Sequence, residues 1–258
     1  MITVREVSKS FAEKKVLHEI SVDFEPGKTN LIIGKSGSGK TVLLKSIIGL
    51  HKIDEGEILF AGQNLMAMND REKSQLRKEM GMLFQGSALF DSLTVEENIK
   101  FPLDMFSEMT EHEKLDRLNF CLHRVNLEKV NKLFPAELSG GMQKRVAIAR
   151  AIVLNPKYLF CDEPNSGLDP KTAIVIDKLI SDITHEFQIT TIVNTHDMNS
   201  VMEIGEKVVF IHQGYKCWEG TSDEILNSSH EKLNDFIFAS SFAKKMKNTF
   251  GQASSKGM

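Results

Sequence analysis

The chain has no apolar run near the ~20 residues that a membrane-spanning helix needs, so any membrane role requires a partner that supplies the span. Its start, Met1-Ile2-Thr3-Val4-Arg5, is strand-like and lacks the zones of a signal peptide. Cysteine is scarce. Cys121, Cys161 and Cys217 are odd in number and lack metal-ligand spacing. They read as reduced cytosolic thiols, which excludes a disulfide framework or a structural zinc site. Charge of one sign is also scarce: the net charge is −3, with acids and bases mixed, so no broad basic face for nucleic acid is expected. No internal repeat and no sustained heptads occur, which excludes arrays and long coiled coils. The 258 residues suffice for one large domain or two small ones around a sizeable core.

What is present begins with eight residues, Gly34-Lys35-Ser36-Gly37-Ser38-Gly39-Lys40-Thr41. They satisfy G-x-x-x-x-G-K-[ST], the loop that cradles nucleotide phosphates. The glycines let the backbone wrap closely and aim N–H groups inward. Lys40 supplies a point charge for the β- and γ-phosphates, and the Thr41 hydroxyl suits Mg²⁺. The context agrees. Thr29-Asn30-Leu31-Ile32-Ile33 reads as a buried parallel strand before the loop. Val42, Leu43, Leu44, Ile47, Ile48 and Leu50 predict a helix with a broad apolar face after it. The helix start adds partial positive charge to the phosphate site. This unit predicts ATP or GTP binding.

Two further motifs carry chemistry. Tyr158-Leu159-Phe160-Cys161-Asp162-Glu163 is an apolar strand ending in two carboxylates. Mg²⁺ on phosphates takes hard oxygen ligands and keeps several waters, a shell that Asp162 is suited to hold. Glu163 is suited to orient and deprotonate a water for in-line attack on a γ-phosphate. Leu138-Ser139-Gly140-Gly141-Met142, followed by Gln143-Lys144-Arg145, precedes a helix over 146–154. Ser139 is a candidate N-cap, and the glycines expose N–H groups at a helix start. That makes a second anion site, apart from the first in sequence.

Around these motifs, strands are expected at 2–7 and 16–24, with Glu25-Pro26-Gly27 as a turn. Residues 57–60 read as a strand, 61–64 as a turn, 70–78 as a charged helix and 80–84 as an apolar strand. The stretch from about 86 to 153 reads as helical and amphipathic. Within it Thr110-Glu111-His112-Glu113 is a capping box, followed by Leu115, Leu118, Leu122 and Val125 at helical spacing. Next come a helix with Val175, Ile176, Leu179, Ile180 and Ile183 on one face and a strand over 190–195. A closing hairpin across Gln213-Gly214 and a second capping box at Thr221-Ser222-Asp223-Glu224 follow. After about Gly251 a Ser/Gly/Lys-rich tail is expected to be disordered.

With the three motifs in this order, the chain resembles the ATP-binding cassette (ABC) ATPases over about residues 1–228. The resemblance implies an α/β fold of the P-loop NTPase class. An antiparallel β lobe and an inserted α-helical subdomain, about 86–153, complete it, and 229–258 is a C-terminal extension. It implies ATP and Mg²⁺ as cofactors. Gln85 matches the glutamine that links Mg²⁺ and the attacking water to the helical subdomain. Ser166-Gly167-Leu168-Asp169 matches the loop that crosses between cassettes, His196 the switch histidine on the γ-phosphate, and Phe11 the aromatic that stacks on adenine. A head-to-tail dimer is implied, each ATP lying between the P-loop of one copy and Ser139 with Gly141 of the other. Asn165 departs from the family's common threonine, and Met142 stands where many members have glutamine.

Gly81-Met82-Leu83-Phe84-Gln85-Gly86-Ser87-Ala88-Leu89-Phe90, continuing through Leu93 to Phe101-Pro102-Leu103, resembles the bacterial Mla (maintenance of lipid asymmetry) type of ATPase. Pro135-Ala136-Glu137 before the signature fits the same type, which is related to the mammalian-cell-entry (MCE) systems. The resemblance implies phospholipid or other lipid transport with a membrane permease and an MCE-type lipid-binding protein, from the cytoplasmic face of the bacterial inner membrane. Leu89, Phe90, Leu93 and Phe101 are candidates for the permease groove or for helical core. The alternative is the ATPase of an importer for a small polar solute such as an amino acid. ABC proteins of DNA repair or ribosomes fit less well, since the chain has one cassette and no coiled coil. A P-loop kinase or GTPase has no use for the site at Ser139. Phe236, Ile237, Phe238, Phe242 and Lys244-Lys245 suggest a docking helix, a basic arm or a solvated tail.

Overall fold

The structure is a computed structural model that describes residues 1–238. The tail after Gly251, Phe242 and Lys244-Lys245 lie outside the described residues. Two sheets carry the fold. The first is antiparallel and four-stranded, in the order β2-β1-β4-β5. Its members are β1 (Ile2–Phe11), β2 (Lys14–Phe24), β4 (Glu55–Phe60) and β5 (Gln63–Asn64). β1 and β2 run longer than the sequence pattern predicts. Polar Ser8, Lys9 and Ser10 break the apolar alternation, and three register shifts let them pair all the same.

The second sheet has six strands in the order β10-β9-β3-β8-β7-β6. They are β3 (Thr29–Ile33), β6 (Met80–Leu83), β7 (Tyr158–Asp162), β8 (Thr190–Thr195), β9 (Lys207–His212) and β10 (Tyr215–Gly220). All neighbours pair in parallel except β9 and β10, the closing hairpin. Every residue of β3, β7 and β8 is buried, so these strands show no alternation of apolar and polar faces, and polar residues such as Asn30 and Asn194 are buried with the rest. In such a sheet, sites form beyond the carboxyl ends of the strands. The carboxyl ends of β3, β6, β7 and β8 therefore share one edge, and each leads into one of the sequence motifs.

Helices flank the sheet. Those tied to the motifs are α1 (Lys40–Ile47), α2 (Asp70–Lys78), α3 (Val95–Phe106), α4 (Glu111–Arg124), α5 (Gly140–Ile152), α6 (Pro170–Glu186) and α7 (Met198–Ile204). Capping boxes begin α2, α3 and α4 at Asn69, Thr94 and Thr110. α3, α4 and α5 pack their apolar faces together through Val95, Ile99, Leu103, Leu118, Leu122 and Ala147. Helix does not fill all of 86–153: residues 86–94 and 125–134 are turns and loops. Two short helices, α8 (Ser222–Asn227) and α9 (Glu231–Ile237), close the described chain. Leu233 and Ile237 of α9 enter the same core as β9, and Phe236 lies 5.4 Å from the Phe210 ring.

Three apolar positions lie elsewhere than expected. Leu50 falls beyond the end of α1 and is exposed. Leu115 of α4 and Val175 of α6 are each 41% exposed, although their neighbours Leu118 and Ile176 are buried. The helical stripe is narrower than the run of apolar letters suggests.

Candidate functional site

The loop between β3 and α1 is built for close approach. Gly34 has φ 152, and a Cβ there would meet the Ile211 carbonyl oxygen at 2.2 Å and Ser38 Oγ at 2.7 Å. Gly39 caps α1 with φ 107 and no side-chain cap, so the first N–H groups of the helix stay free for an anion. Ser38 Oγ is buried without a partner. Lys40 is buried and points back across the loop, donating to the Gly34 carbonyl at 2.8 Å and to that of Lys35 at 3.3 Å. Burial pulls its ammonium below the ordinary lysine range, and the nearby Glu163 and Asp162 carboxylates offset part of that shift.

The adjacent strands bring in the acids. Asp162 ends β7, accepting from Thr41 Oγ1 at 3.2 Å and from Asn194 Nδ2 at 3.1 Å. Glu163 follows with φ 49. Its Oε2 lies 2.7 Å from His196 Nδ1, and its Oε1 lies 3.8 Å from Lys40 Nζ. Gln85, after β6, donates through Nε2 to Ser166 Oγ at 3.2 Å. Ser36, Gly37, Gly39, Lys40, Thr41, Gln85, Glu163 and His196 all line one cleft, which Val16 also walls. Lys35 donates no side chain to it; its carbonyl closes a turn with the Ser38 N–H at 3.1 Å.

Phe11 ends β1, exposed, with its ring edge-on to His51 at 5.2 Å and Lys9 Nζ over its face at 5.3 Å. It is not a core aromatic. Ser139 caps α5 through Met142 N–H at 3.3 Å. A Cβ on Gly141 would meet Thr172 Cγ2 at 2.6 Å, and one on Gly140 would approach Leu168 at 3.7 Å, so both glycines let α5 lie against the start of α6. The Met142 side chain packs against the core. Asp169 caps α6 by accepting from Lys171 N at 3.0 Å and Thr172 N at 3.1 Å. None of Phe11, Ser139, Gly140, Gly141, Met142 or Asp169 lines the P-loop cleft, and Ser166 reaches it only through Gln85.

The chain belongs to the ABC transporter family. The family model described as ABC transporter matches residues 17–166, which takes in the P-loop, the signature and the acidic pair. The methionine import ATP-binding protein MetN of Campylobacter jejuni is 36% identical over 258 residues, covering 94% of this chain and 77% of that protein. The intermembrane phospholipid transport system ATP-binding protein MlaF of Haemophilus influenzae is 35% identical over 237 residues, covering 92% of this chain and 90% of that protein. Among solved structures, the dimeric post-hydrolysis state of the ATP-binding cassette MJ0796, bound to ADP and Pi, superimposes with a TM-score of 0.78 at 32% identity, over 86% of this chain and 99% of that one. The chain is accordingly an ABC ATPase, the ATP-binding subunit of a transporter, and works on ATP with Mg²⁺.

The residues fit Mg²⁺ in this ABC site. Thr41 and Asp162 present oxygens 3.2 Å apart, and no cluster of three or more His, Cys, Asp or Glu gathers among the described residues. A magnesium ion here would draw on hard oxygens beyond carboxylates, the Gln85 amide, phosphate and water among them. No described helix is long and apolar enough to cross a membrane.

Sequence reasoning missed three contributors. Asn194, fully buried, holds Asp162; a polar residue inside a buried strand was the available signal. Lys144 and Arg150 of α5 grip the segment after β6. Lys144 Nζ donates to the Gln85 carbonyl, and Arg150 donates to the carbonyls of Ser87 at 2.9 Å and Ala88 at 2.8 Å. In the sequence both look like ordinary solvated helix charges.

Proposed function

We propose that two copies of this chain close head to tail on ATP and drive a membrane permease that moves phospholipid or another lipid. The observation that carries the sandwich is spatial: the P-loop cleft is lined without any residue of Ser139-Gly140-Gly141-Met142. A second anion-seeking helix start in the same chain then has its use on another copy's nucleotide, with Ser166 and Asp169 crossing between copies. Lys40 and the free N–H groups of the loop hold the β- and γ-phosphates, and Phe11, exposed at the end of β1, stacks on adenine. Thr41, Gln85 and, through water, Asp162 would hold Mg²⁺, which would supply positive charge to the transferring phosphoryl group.

Glu163 orients a water for in-line attack and takes its proton as the new P–O bond forms. The bond to the bridging oxygen breaks, and its electron pair leaves with ADP. His196, hydrogen-bonded to Glu163, contacts the γ-phosphate. Replacing Glu163 by Gln should trap an ATP-bound dimer, seen as a doubled mass on size exclusion, with turnover reduced about a hundredfold or more. A variant that stays monomeric with ATP while hydrolysing it at the parent rate overturns this reading.

A groove of about 460 Å³ lies just beyond Gln85, lined by Phe84, Phe90, Phe101, Pro102 and Phe106 with Arg150 at its edge. Permease docking there connects the cleft to the membrane. Leu89 packs on the core instead, and Leu93 is absent from the lining. The lipid reading is supported by the Mla-like segment and by MlaF, matched over 90% of its length. An importer for a small polar solute is supported as well, by MetN. Purifying the chain with its permease from the inner face of the inner membrane separates them. Bound phospholipid and an MCE-type protein are expected. A lipid-free complex stimulated by a soluble amino-acid-binding protein removes the lipid reading. The cassette over 1–228, with 86–153 as its helical insert, is the unit that performs this work; beyond it, α9 packs back onto its core through Leu233 and Ile237.

A further inference from the structure

Residues 163–169 lead from the end of β7 into α6 as two tight turns. The Ser166 N–H donates to the Glu163 carbonyl and the Leu168 N–H to the Asn165 carbonyl, each at 3.1 Å. Such turns keep their own shape, but something else must fix where they sit. At one end the Glu163 N–H is tied to the Asn194 carbonyl of β8 at 3.0 Å. Further along, the tie is the Asn165 side chain. Its Nδ2 donates to Ser200 Oγ at 3.1 Å, and the buried carboxyl of Asp177 lies beside both side chains.

Ser200 is fully buried on α7, four residues beyond His196, and Asp177 is 1% exposed on α6. The cluster thus joins three segments: the loop after Glu163, the helix that this loop starts, and the helix after His196. Among the described residues, the ionisable groups that act most on Asp177 are Asp197 and Glu203 from the α7 side, with the Cys161 thiol of β7 also coupled to it, and all three are acids. Burial pushes the Asp177 carboxyl up to about 6. Asn165 Oδ1 and Asp177 Oδ1 are both buried without a donor. A buried acid that burial drives toward its neutral form does not serve stability. It sits instead where it can hold the amide of Asn165.

We propose that Asn165 is a positioning residue for hydrolysis, fastening the loop that carries Glu163 to the segment that carries His196 through Ser200 and Asp177. The proposal rests on Glu163 and His196 acting as described above. Their side chains meet at 2.7 Å across the ends of β7 and β8, a contact that a small slip of either segment breaks. An amide suits the post because its two N–H groups can serve a hydroxyl and a carboxylate together. Threonine offers one donor, and leucine and aspartate offer none.

The test is steady-state ATP hydrolysis and ATP affinity of the full chain between pH 6 and 8.5. Asn165→Leu should lower turnover about tenfold to a hundredfold while ATP affinity stays within about twofold of the parent. Asn165→Asp sets a second carboxyl against Asp177. It should be inactive at pH 8 and recover in part near pH 6, where the two share a proton. The double variant Asn165→Asp with Asp177→Asn exchanges amide and acid. It should regain turnover to within about threefold of the parent and lose the acid-side recovery.

Turnover of Asn165→Leu within about twofold of the parent overturns the proposal. So does a parental pH profile in Asn165→Asp, or a double variant as inactive as that single one. If Asn165→Leu loses its thermal transition, the other two variants decide. Glu163→Gln runs alongside. If it hydrolyses ATP normally, the reading beneath the proposal has failed; if it is inactive while the Asn165 variants are unaffected, only the role of Asn165 falls.

Discussion

Gly34 and Asp177 show at the scale of single residues how position fixes chemistry. With φ 152 and the Ile211 carbonyl oxygen 2.2 Å from where a Cβ would sit, Gly34 has no room for any other residue. Gly34→Ala should lower ATP affinity at least about tenfold and reduce the melting temperature, because the loop must shift to relieve the clash. Lys40→Ala should lower ATP affinity as strongly with little loss of stability, since it removes a buried cation. Nucleotide titration and thermal unfolding read both variants.

Asp177 links pH to stability. Its folded-state value, about 6, lies above the 3.8 of an unperturbed aspartate. The folded chain therefore holds this proton more tightly than the unfolded chain does. The stabilisation is complete below pH 4 and is lost as pH rises through 6. Asp177→Asn removes the titration and should stabilise the chain at pH 8 by up to about 3 kcal/mol, with no gain at pH 4. Denaturant unfolding at the two pH values checks this. Residues 34–41, Asp162 and Glu163 were legible because each belongs to a short contiguous pattern with one chemical purpose. Asp177 and Ser200 were not. Their partner lies 12 and 35 positions away, and nothing local distinguishes them from other polar helix residues.

Helix α5 is the element whose role extends furthest beyond its sequence. Its first turn carries the signature, while Lys144 and Arg150 further along hold the backbone carbonyls of Gln85, Ser87 and Ala88. Ser87 and Ala88 have φ 61 and 49, strained for residues with a Cβ, and the grip of Arg150 keeps them there. Lys144 is 4% exposed, and burial draws its ammonium below the usual lysine range. Lys144→Met should therefore leave the melting temperature at pH 7 unchanged or raised. It should slow hydrolysis by roughly threefold or more and raise the Mg²⁺ concentration needed for half-maximal rate, because Gln85 is loosened. Unchanged kinetics across a Mg²⁺ titration would show that the grip is idle. Capping boxes at Thr110 and Thr221 and the hairpin at Gln213-Gly214 were readable, since caps and turns are local. The exposure of Leu115 and Val175 was not, because a helix of mixed letters does not reveal how wide a stripe its neighbours cover.

For the whole molecule, the parallel run of β3, β6, β7 and β8 gathers four loops at one edge, although they are spread from residue 34 to residue 196. Alternating strands and helices made the class readable. The order β3-β8-β7-β6 was not readable, because strand neighbours in a parallel sheet are chosen by tertiary packing. The aromatic groove is the face on which the molecule meets its permease in the proposed function. Phe90→Glu with Phe101→Glu should abolish co-purification with that permease and leave ATP affinity unchanged, as measured by pull-down and nucleotide titration.

One hydrogen bond joins these levels. Because the Gln85 amide nitrogen rests on Ser166, its oxygen is the end left to meet a cation. The hydroxyl acts as a key that sets the amide's orientation, and it sits on the loop that an approaching twin would press. In the proposed dimer, arrival of the second subunit would thereby be reported, through a single seryl oxygen, to the segment proposed to face the permease. On the same proposal, hydrolysis by an unpaired subunit would be discouraged without any separate inhibitor.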